Sequence, residues 1–412
     1  MPSKKEIKLL TELLNLEGVK VTSHRQYQGI GIILQTELTN KESICPVCGT
    51  KSQRLHQNHR HIIKDLAWGE QQVFLEINRR QFKCSRCKKQ FSENLNFVDR
   101  RRTYTKRLAK EILQEVLKSD IHSVAKKGVV TTEEIERMLK DAAQELDNSK
   151  PSQLKRLGID EIALVKVKGN YCAVLVDLDR SKLIALLEGR TQKVIKKTLS
   201  GWGTEVLSQI EEVNIDLWRS YKNLVTELMP LAQVVADRFH VMTQINQELD
   251  RQRRTEKRNL EKLINQPELK EDKTNNEINL SSLKQSKYLL LKNEDSLNEE
   301  QAQKLIQVKD ISPILRVMHE LKEKMRKIFN QTEDWYTGVF KIGMWLTTAK
   351  KYFPRSHNTM IRWFDEIIAY FDNRTTSGTV EGINNKLKLI KRSGYGFRNF
   401  ESFRIRCLLS WS

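Results

Sequence analysis

The sequence predicts a multidomain α/β protein, and three observations carry that prediction. A stretch at 154–241 holds five apolar runs of strand period; two CxxC pairs, Cys45 with Cys48 and Cys84 with Cys87, stand ahead of it; and a charged, helix-prone stretch without strand signal follows at 242–372. The chain's 412 residues exceed what one ordinary core takes up, and the divisions read as 1–100, 101–150, 154–241, 242–372 and 373–412. Lysine and arginine number 72 against 52 acidic residues, a formal net charge of +20, which favours a polyanion such as nucleic acid. No apolar run reaches membrane-spanning length and the N-terminus lacks the apolar stretch of a signal peptide, so no membrane partner is expected and the cytoplasm is the expected location.

Residues 1–100 read as a small metal-stapled module. IKLLTELLNLEGVKV is an amphipathic opening, GIGIILQTEL reads as a strand, and QQVFLEINRRQF alternates like a hairpin arm between the knuckles CPVCGT and CSRC. Four thiolates from two tight turns close a tetrahedral zinc shell, and a module this short of core draws much of its folding energy from that metal. His56, His59 and His61 could replace a ligand, but the cysteines already supply four, which leaves the histidines to the surface or to phosphate. Arg79, Arg80, Lys83, Arg86, Lys88 and Lys89 surround the second knuckle; such a cluster suits phosphate contacts, a solvated face being the plainer reading. Cys172 and Cys407 stand alone in apolar segments, so the cysteines do not form a disulfide framework.

Residues 101–150 are helical in pattern. RRTYTKRLAKEILQEVLKS gives one helix, DIHSVAKKG a short second ended by Gly128, and VVTTEEIERMLKDAAQEL a third opened by a threonine cap. That is the helix-turn-helix order, whose last helix enters the major groove of DNA. Glu133, Glu134 and Glu136 lie at the end that would approach DNA, which weakens the assignment, and a trihelical spacer or dimer contact is the competing reading. Pro151 and Ser152 mark the boundary.

From 154 the pattern takes strand period. LGIDEIALVKVKG, YCAVLVDLD and KLIALLEG are three strands, TQKVIKKTLSGWGTEVLSQI a helix, VNIDLW a fourth strand, SYKNLVTELMP a helix and AQVVADRFHV a fifth strand. This is the ribonuclease-H-like order, in which the first and fourth strands are neighbours, so Asp160 and Asp216 lie side by side. Two carboxylates in an apolar sheet repel each other unless a divalent cation neutralises both, and oxygen ligands favour magnesium or manganese. Glu161 alternates to the opposite face. Residues 242–372 read as an all-helical insertion, with 266–282 its most mobile loop and Trp335, Trp345 and Trp363 in its core. Helix resumes after Gly378, which puts Glu381 in the first turn of TVEGINNKLKLIKR, facing outward; Lys386, Lys388, Lys391 and Arg392 follow as a basic cradle for a phosphodiester.

GIDEIAL, DLWRSYKNLVTELMPLAQVVADRFHV and YFDNRTTSGTVEGINNKLKLIKRSGYGFRNFESFRIRCL, preceded by the CxxC pairs, resemble the insertion-sequence transposases of the DDE class, specifically the ISL-three family, over essentially the whole chain. The resemblance implies a prokaryotic, nucleoid-associated enzyme with a ribonuclease-H-like core. It implies binding to the terminal inverted repeats of its own element and to target DNA, both double-stranded, self-association during synapsis, and metal-dependent strand cleavage and transfer. The family's triad carries over to Asp160, one of two later aspartates, and Glu381. Strand order favours Asp216 as the second. Asp237, with His240, fits an accessory motif downstream of it in related groups, and a strand-end cap is the plainer reading of Asp237. Two alternatives stand beside this one: a ribonuclease-H-like nuclease without strand transfer, and a DNA-binding regulator derived from an inactive transposase. The three carboxylates argue against the regulator, and the N-terminal modules against the plain nuclease.

Overall fold

The structure, a computed structural model, describes residues 3–147, 150–163, 171–265, 273–375, 378–394, 397 and 399–411. It separates into a first unit, Met1–Leu146 with Ser393–Gly396, and a second, Asp147–Arg392 with Phe397–Ser412.

In the first unit α1 (Lys4–Leu14) begins at Ser3, where Ser3 and Glu6 form a reciprocal capping box. Strands β1 (Val19–Tyr27), β2 (Gly31–Leu38), β3 (Ser43–Ile44), β4 (Lys51–Ser52), β5 (Leu55–Trp68), β6 (Gln71–Lys83) and β7 (Gln90–Ser92) follow. Five of them form one sheet in the order β1-β2-β6-β5 with β7 on β6, and β3 pairs with β4. Alternation gives the sheet one apolar face, on which Leu34, Ile63, Leu75 and Ile77 close against Leu14 of α1. Helices α2 (Lys106–Lys118), α3 (Ile121–Ala125) and α4 (Thr132–Asp147) are the three that the sequence predicts. Thr131 and Glu134 cap each other at the start of α4, and Glu134 also binds Lys64 Nζ at 2.8 Å. This glutamate is therefore committed within the unit.

The second unit opens with β8 (Arg156–Ala163), β9 (Tyr171–Asp177), β10 (Lys182–Leu187), α5 (Gln192–Trp202), α6 (Thr204–Leu207), β11 (Glu212–Ile215), α7 (Arg219–Leu228) and β12 (Gln233–Ala236). The sheet order is β10-β9-β8-β11-β12, antiparallel through β8 and parallel beyond it. The first and fourth strands are neighbours, as expected. Three expectations need correction. The predicted fourth strand, VNIDLW, ends at Ile215, where the Trp218 N–H turns back to donate to Asp216 O at 2.6 Å, so Asp216 lies just past the strand. The helix predicted over 191–210 breaks at Gly203, whose φ of 89° suits glycine, so that α5 and α6 are separate. The predicted fifth strand also stops early, at Ala236, because the Asp237 carboxylate accepts the Phe239 N–H and starts a helix. Residues 164–169 of the first predicted strand lie outside the described residues.

Helices α8 (Arg238–Ile264), α9 (Lys273–Gln285), α10 (Lys287–Leu291), α11 (Glu299–Ile311), α12 (Pro313–Gln331), α13 (Trp335–Tyr352), α14 (Pro354–Arg362), α15 (Phe364–Ile368) and α16 (Tyr370–Asn373) come next, with no strand among the described residues. Of the loop expected at 266–282, positions 273–282 are helical and the rest lie outside the described residues. Leu283 of α9 is fully buried, which anchors that segment. Trp345 and Trp363 are in the core, and Trp345 donates its indole N–H to Leu321 O at 2.8 Å. Trp335 is 54 % exposed: it starts α13 at the margin of the packed face, so the expectation of a core residue does not hold there.

Two final helices, α17 (Gly378–Ser393) and α18 (Phe400–Leu409), cover one face of the second sheet, packing Val380, Ile383, Leu387 and Cys407 on Ile162, Cys172, Val174 and Val176. The other face packs Leu157, Ile159 and Leu175 against Tyr221 and Leu224 of α7 and Val241 of α8. Each large apolar side chain buried this way contributes roughly 1.5–3 kcal/mol. The strands are thus held rigidly from both sides.

Candidate active site

Register decides which carboxylates meet. Asn214 and Ile215 of β11 pair in parallel with Gly158 and Ile159 of β8, so the next positions outward are Asp216 and Asp160. Alternation sends Ile159 into one core and Asp160 to the face covered by α17. That helix comes close because residue 158 is glycine: a Cβ there would lie 3.0 Å from Val380 Cγ2. One turn on from Val380, Asn384 donates its Nδ2–H to Asp160 Oδ2 at 2.6 Å, and the Glu161 N–H donates to Oδ1 at 2.7 Å.

His240 enters from the first turn of α8, its Nε2 2.6 Å from Asp216 Oδ1 and 3.6 Å from Asp237 Oδ2. Ligand atoms of Asp160, Asp216 and His240 all lie within 4.8 Å of one another. Burial, then the charge of Asp216, raises the Asp160 pKa to about 6. Burial alone would lower His240, but its hydrogen bond to Asp216 and the charges of Asp216, Asp237 and Asp160 raise it to about 9. Asp237 is buried and caps α8, while Arg238 turns away to Asn330 at 2.9 Å. Glu161 lies on the opposite face, as alternation requires, accepting from Tyr221 Oη at 2.8 Å and pairing with Arg190 at 2.5 Å.

A groove of about 990 Å³ opens beside the cluster, with Asp216 and His240 on its wall and Arg190, Arg219, Lys222 and Arg362 along it. Glu381 is exposed in the first turn of α17 and is not one of the three clustered ligands.

The cysteines form the second cluster, with Cys45 and Cys87 Sγ 3.6 Å apart and Cys48 and Cys84 Sγ 3.5 Å apart. Tetrahedral zinc–thiolate bonds of about 2.3 Å place sulfurs about 3.8 Å from one another, so the four thiols fit zinc. Hydrogen bonds from Thr50 lower the Cys48 pKa to about 6. For Cys87, the Lys89 backbone acts downward but burial and the neighbouring thiols prevail, at about 11. None of His56, His59 and His61, all on β5, belongs to this cluster. Of the basic residues nearby, Arg80 binds the buried Glu93 at 2.7 Å and Arg79 bonds the Glu93 carbonyl at 3.0 Å, whereas Arg86 and Lys89 are exposed and Lys83 is half-buried.

A family model of the DDE class, ISL-three (ISL3) type, with the description "Transposase", matches residues 157–407, more than half of the chain. The chain belongs to this transposase family. A second model, the zinc-finger of transposase IS204/IS1001/IS1096/IS1165, matches residues 41–87 and takes in all four clustered cysteines. The transposase is 26 % identical over 398 residues to the transposase for insertion sequence element IS1001 of Bordetella parapertussis, covering 94 % of each chain. It is 28 % identical over 278 residues to the transposase for insertion sequence element IS1557 of Mycobacterium tuberculosis, covering 64 % of this chain and 61 % of that one. Among solved structures, the Drosophila P element transposase strand transfer complex aligns with 73 % of this chain and 90 % of its own, at 12 % identity and a TM-score of 0.39. No helix among the transposase's described residues is long and apolar enough to cross a membrane.

In the transposase's basic helix, Lys386 is already engaged, donating to Ser410 O at 2.8 Å with its ammonium 4.0 Å from the Trp411 ring centre. Lys388 and Arg392 are exposed and Lys391 is half-buried. Sequence reasoning missed Asn384, whose signal was its place one turn after Glu381 in EGINNK. It also missed Arg190, which a loop position gave no reason to single out.

Proposed function

We propose that this transposase cleaves and joins double-stranded DNA at a divalent-metal site built on Asp160 and Asp216 and completed by Glu381. In this reading 154–241 and 373–412 form a ribonuclease-H-like core interrupted by the helical insertion at 242–372. The observation that carries it is the pairing of β8 with β11, which holds Asp160 and Asp216 with ligand atoms inside 4.8 Å. The donor set fits the metal: the carboxylate oxygens of Asp160 and Asp216 suit magnesium or manganese. When bound, such ions supply Lewis-acid polarisation of the phosphate and a lowered pKa for the attacking hydroxyl.

The chain's own residues do the rest. Two N–H donors fix the Asp160 carboxylate, from the Glu161 backbone and from Asn384, and the imidazolium of His240 balances the charge of Asp216. Arg190, Arg219, Lys222 and Arg362 line a groove suited to a DNA backbone. Water attacks the scissile phosphorus at the element end and releases a 3′-hydroxyl; that hydroxyl then attacks target DNA and displaces the 3′-oxygen of the target strand. Neither step needs a protein nucleophile. The zinc-bearing region 1–100 and the three helices of 101–150, taken as a helix-turn-helix, bind the terminal inverted repeats, and two copies associate when the ends are brought together in the bacterial cytoplasm.

The test is cleavage of a labelled duplex carrying the element's own terminal repeat, with magnesium. Asp160→Ala, Asp216→Ala and Glu381→Ala are expected to bind the repeat without nicking it, and Asp237→Ala to keep appreciable activity. Nicking by Asp216→Ala but not by Asp237→Ala would overturn the choice of second aspartate. Wild-type protein that binds the repeat and cuts nothing, even with manganese, would leave only the DNA-binding reading.

A further inference from the structure

Asn384 has two amide atoms in unequal circumstances. Its Nδ2 donates to Asp160 Oδ2 at 2.6 Å, whereas its Oδ1 is buried with no hydrogen-bond partner among the described residues. The residue is only 8 % exposed, and an acceptor left unsatisfied at such a position is costly. Chance placement is a poor account of the contact. Val380 packs on Gly158, and four residues along α17 match two along β8, since about 6.0 Å of helix rise meets about 6.6 Å of strand. Asn384 is therefore held against Asp160 by the same packing that seats the helix.

Resting on the metal-site reading above, we infer that Asn384 is a positioning residue of that site. Its amide N–H orients Asp160, and its Oδ1 accepts a hydrogen bond from a water in the shell of the divalent ion. The roles are chemically matched. With the Glu161 N–H on one Asp160 oxygen and the Asn384 N–H on the other, the carboxylate cannot rotate, yet each oxygen keeps a lone pair for an ion. Magnesium retains several of its waters when protein-bound, so a neutral buried acceptor beside a ligating carboxylate has a natural partner. Partners of this second kind typically set metal affinity by about 10–100-fold.

The test uses Asn384→Leu, which keeps the shape without either polar atom, and Asn384→Ala, which cannot overpack the site; thermal unfolding confirms that each folds. Manganese affinity is read by electron paramagnetic resonance on the full chain, independently of activity, and nicking is measured against magnesium concentration. Both variants are expected to bind manganese about 10–100-fold more weakly and to need proportionately more magnesium for half-maximal nicking. Their rate at saturating metal should recover to within a few-fold, with repeat binding unchanged. Wild-type manganese affinity in both variants, or a loss of rate at saturating metal with affinity intact, would overturn the inference. Asp160→Ala serves as the control. If it too binds manganese like the wild type, the metal-site reading fails, and the role of Asn384 with it.

Discussion

Cys45, Cys48, Cys84 and Cys87 meet through two similar local turns, closed by Gly49 N–H to Cys45 O at 2.9 Å and Lys88 N–H to Cys84 O at 3.2 Å. Asp160, Asp216 and His240 instead come from three separate segments, and they meet because β8 pairs with β11 and because α8 begins where β12 stops. The surroundings differ as much as the assembly. Around the thiols the apolar support is little more than Phe82 and Phe91, so the metal has to supply cohesion. Around the carboxylates two hydrophobic cores enforce the geometry, and the cluster is held in place against its own repulsion. One cluster stabilises its surroundings; the other is stabilised by them.

The sharpest way to break this contrast is to remove the zinc. Cys84→Ser, or chelation, should unfold much of the first unit, since structural zinc sites contribute on the order of 10 kcal/mol of folding free energy. Zinc content and limited proteolysis are the measurements, and a Cys84→Ser chain that keeps its zinc and its native protease resistance would refute the distinction.

At the other cluster the sign reverses. Asp160 has a pKa of about 6 folded against 3.8 unfolded, so between those values the folded chain holds more protons and stability falls as pH rises. Above pH 6 that penalty is complete. Without added metal, Asp160→Asn should therefore be more stable than wild type at pH 7, by on the order of 1–3 kcal/mol, and nearly equal to it at pH 3.5, and under the proposed metal-site reading it is expected to have lost nicking. Urea unfolding at the two pH values decides this.

His319 sharpens the comparison from a third direction. It is fully buried in α12, neither ring nitrogen has a hydrogen-bond partner among the described residues, and burial followed by the charges of Lys322 and Lys309 lowers its pKa to about 3. Its folded pKa is below the unfolded value, so stability is lost as pH falls from 6.5 towards 3. His319→Leu should flatten that loss by about 2 kcal/mol at pH 5, read from chemical unfolding of the two proteins across the window.

The smallest effects belong to the surface cations. Lys388→Ala and Arg392→Ala should each lower the salt dependence of DNA binding by about one unit of slope and leave the unfolding midpoint almost unchanged. Arg80→Ala should do the reverse, because it strands the buried Glu93. Binding isotherms at several salt concentrations beside thermal unfolding separate the two classes.

Much of this was legible in the residues. Cysteine spacing named all four thiols of the zinc cluster, strand order put Asp160 beside Asp216, and period-two alternation sent Glu161 to the other face. The misses have a common form. The break at Gly203, the early end of the fifth strand at Ala236 and the exposure of Trp335 each turn on one residue against a pattern averaged over many. Arg80 looked free because its partner Glu93 is reached across the β6–β7 pairing.

What the sequence by itself determined is local: tight turns bring a cysteine pair together over a few residues, and periods of 2.0 and 3.6 assign each side chain a face. Tertiary structure alone decided the contacts of His240 with Asp216 and of Asn384 with Asp160, and the place of Glu381 outside the three-ligand cluster. Those depend on sheet register and on how closely α17 can approach β8 over Gly158. Long-range packing settles such distances, and no local period encodes them.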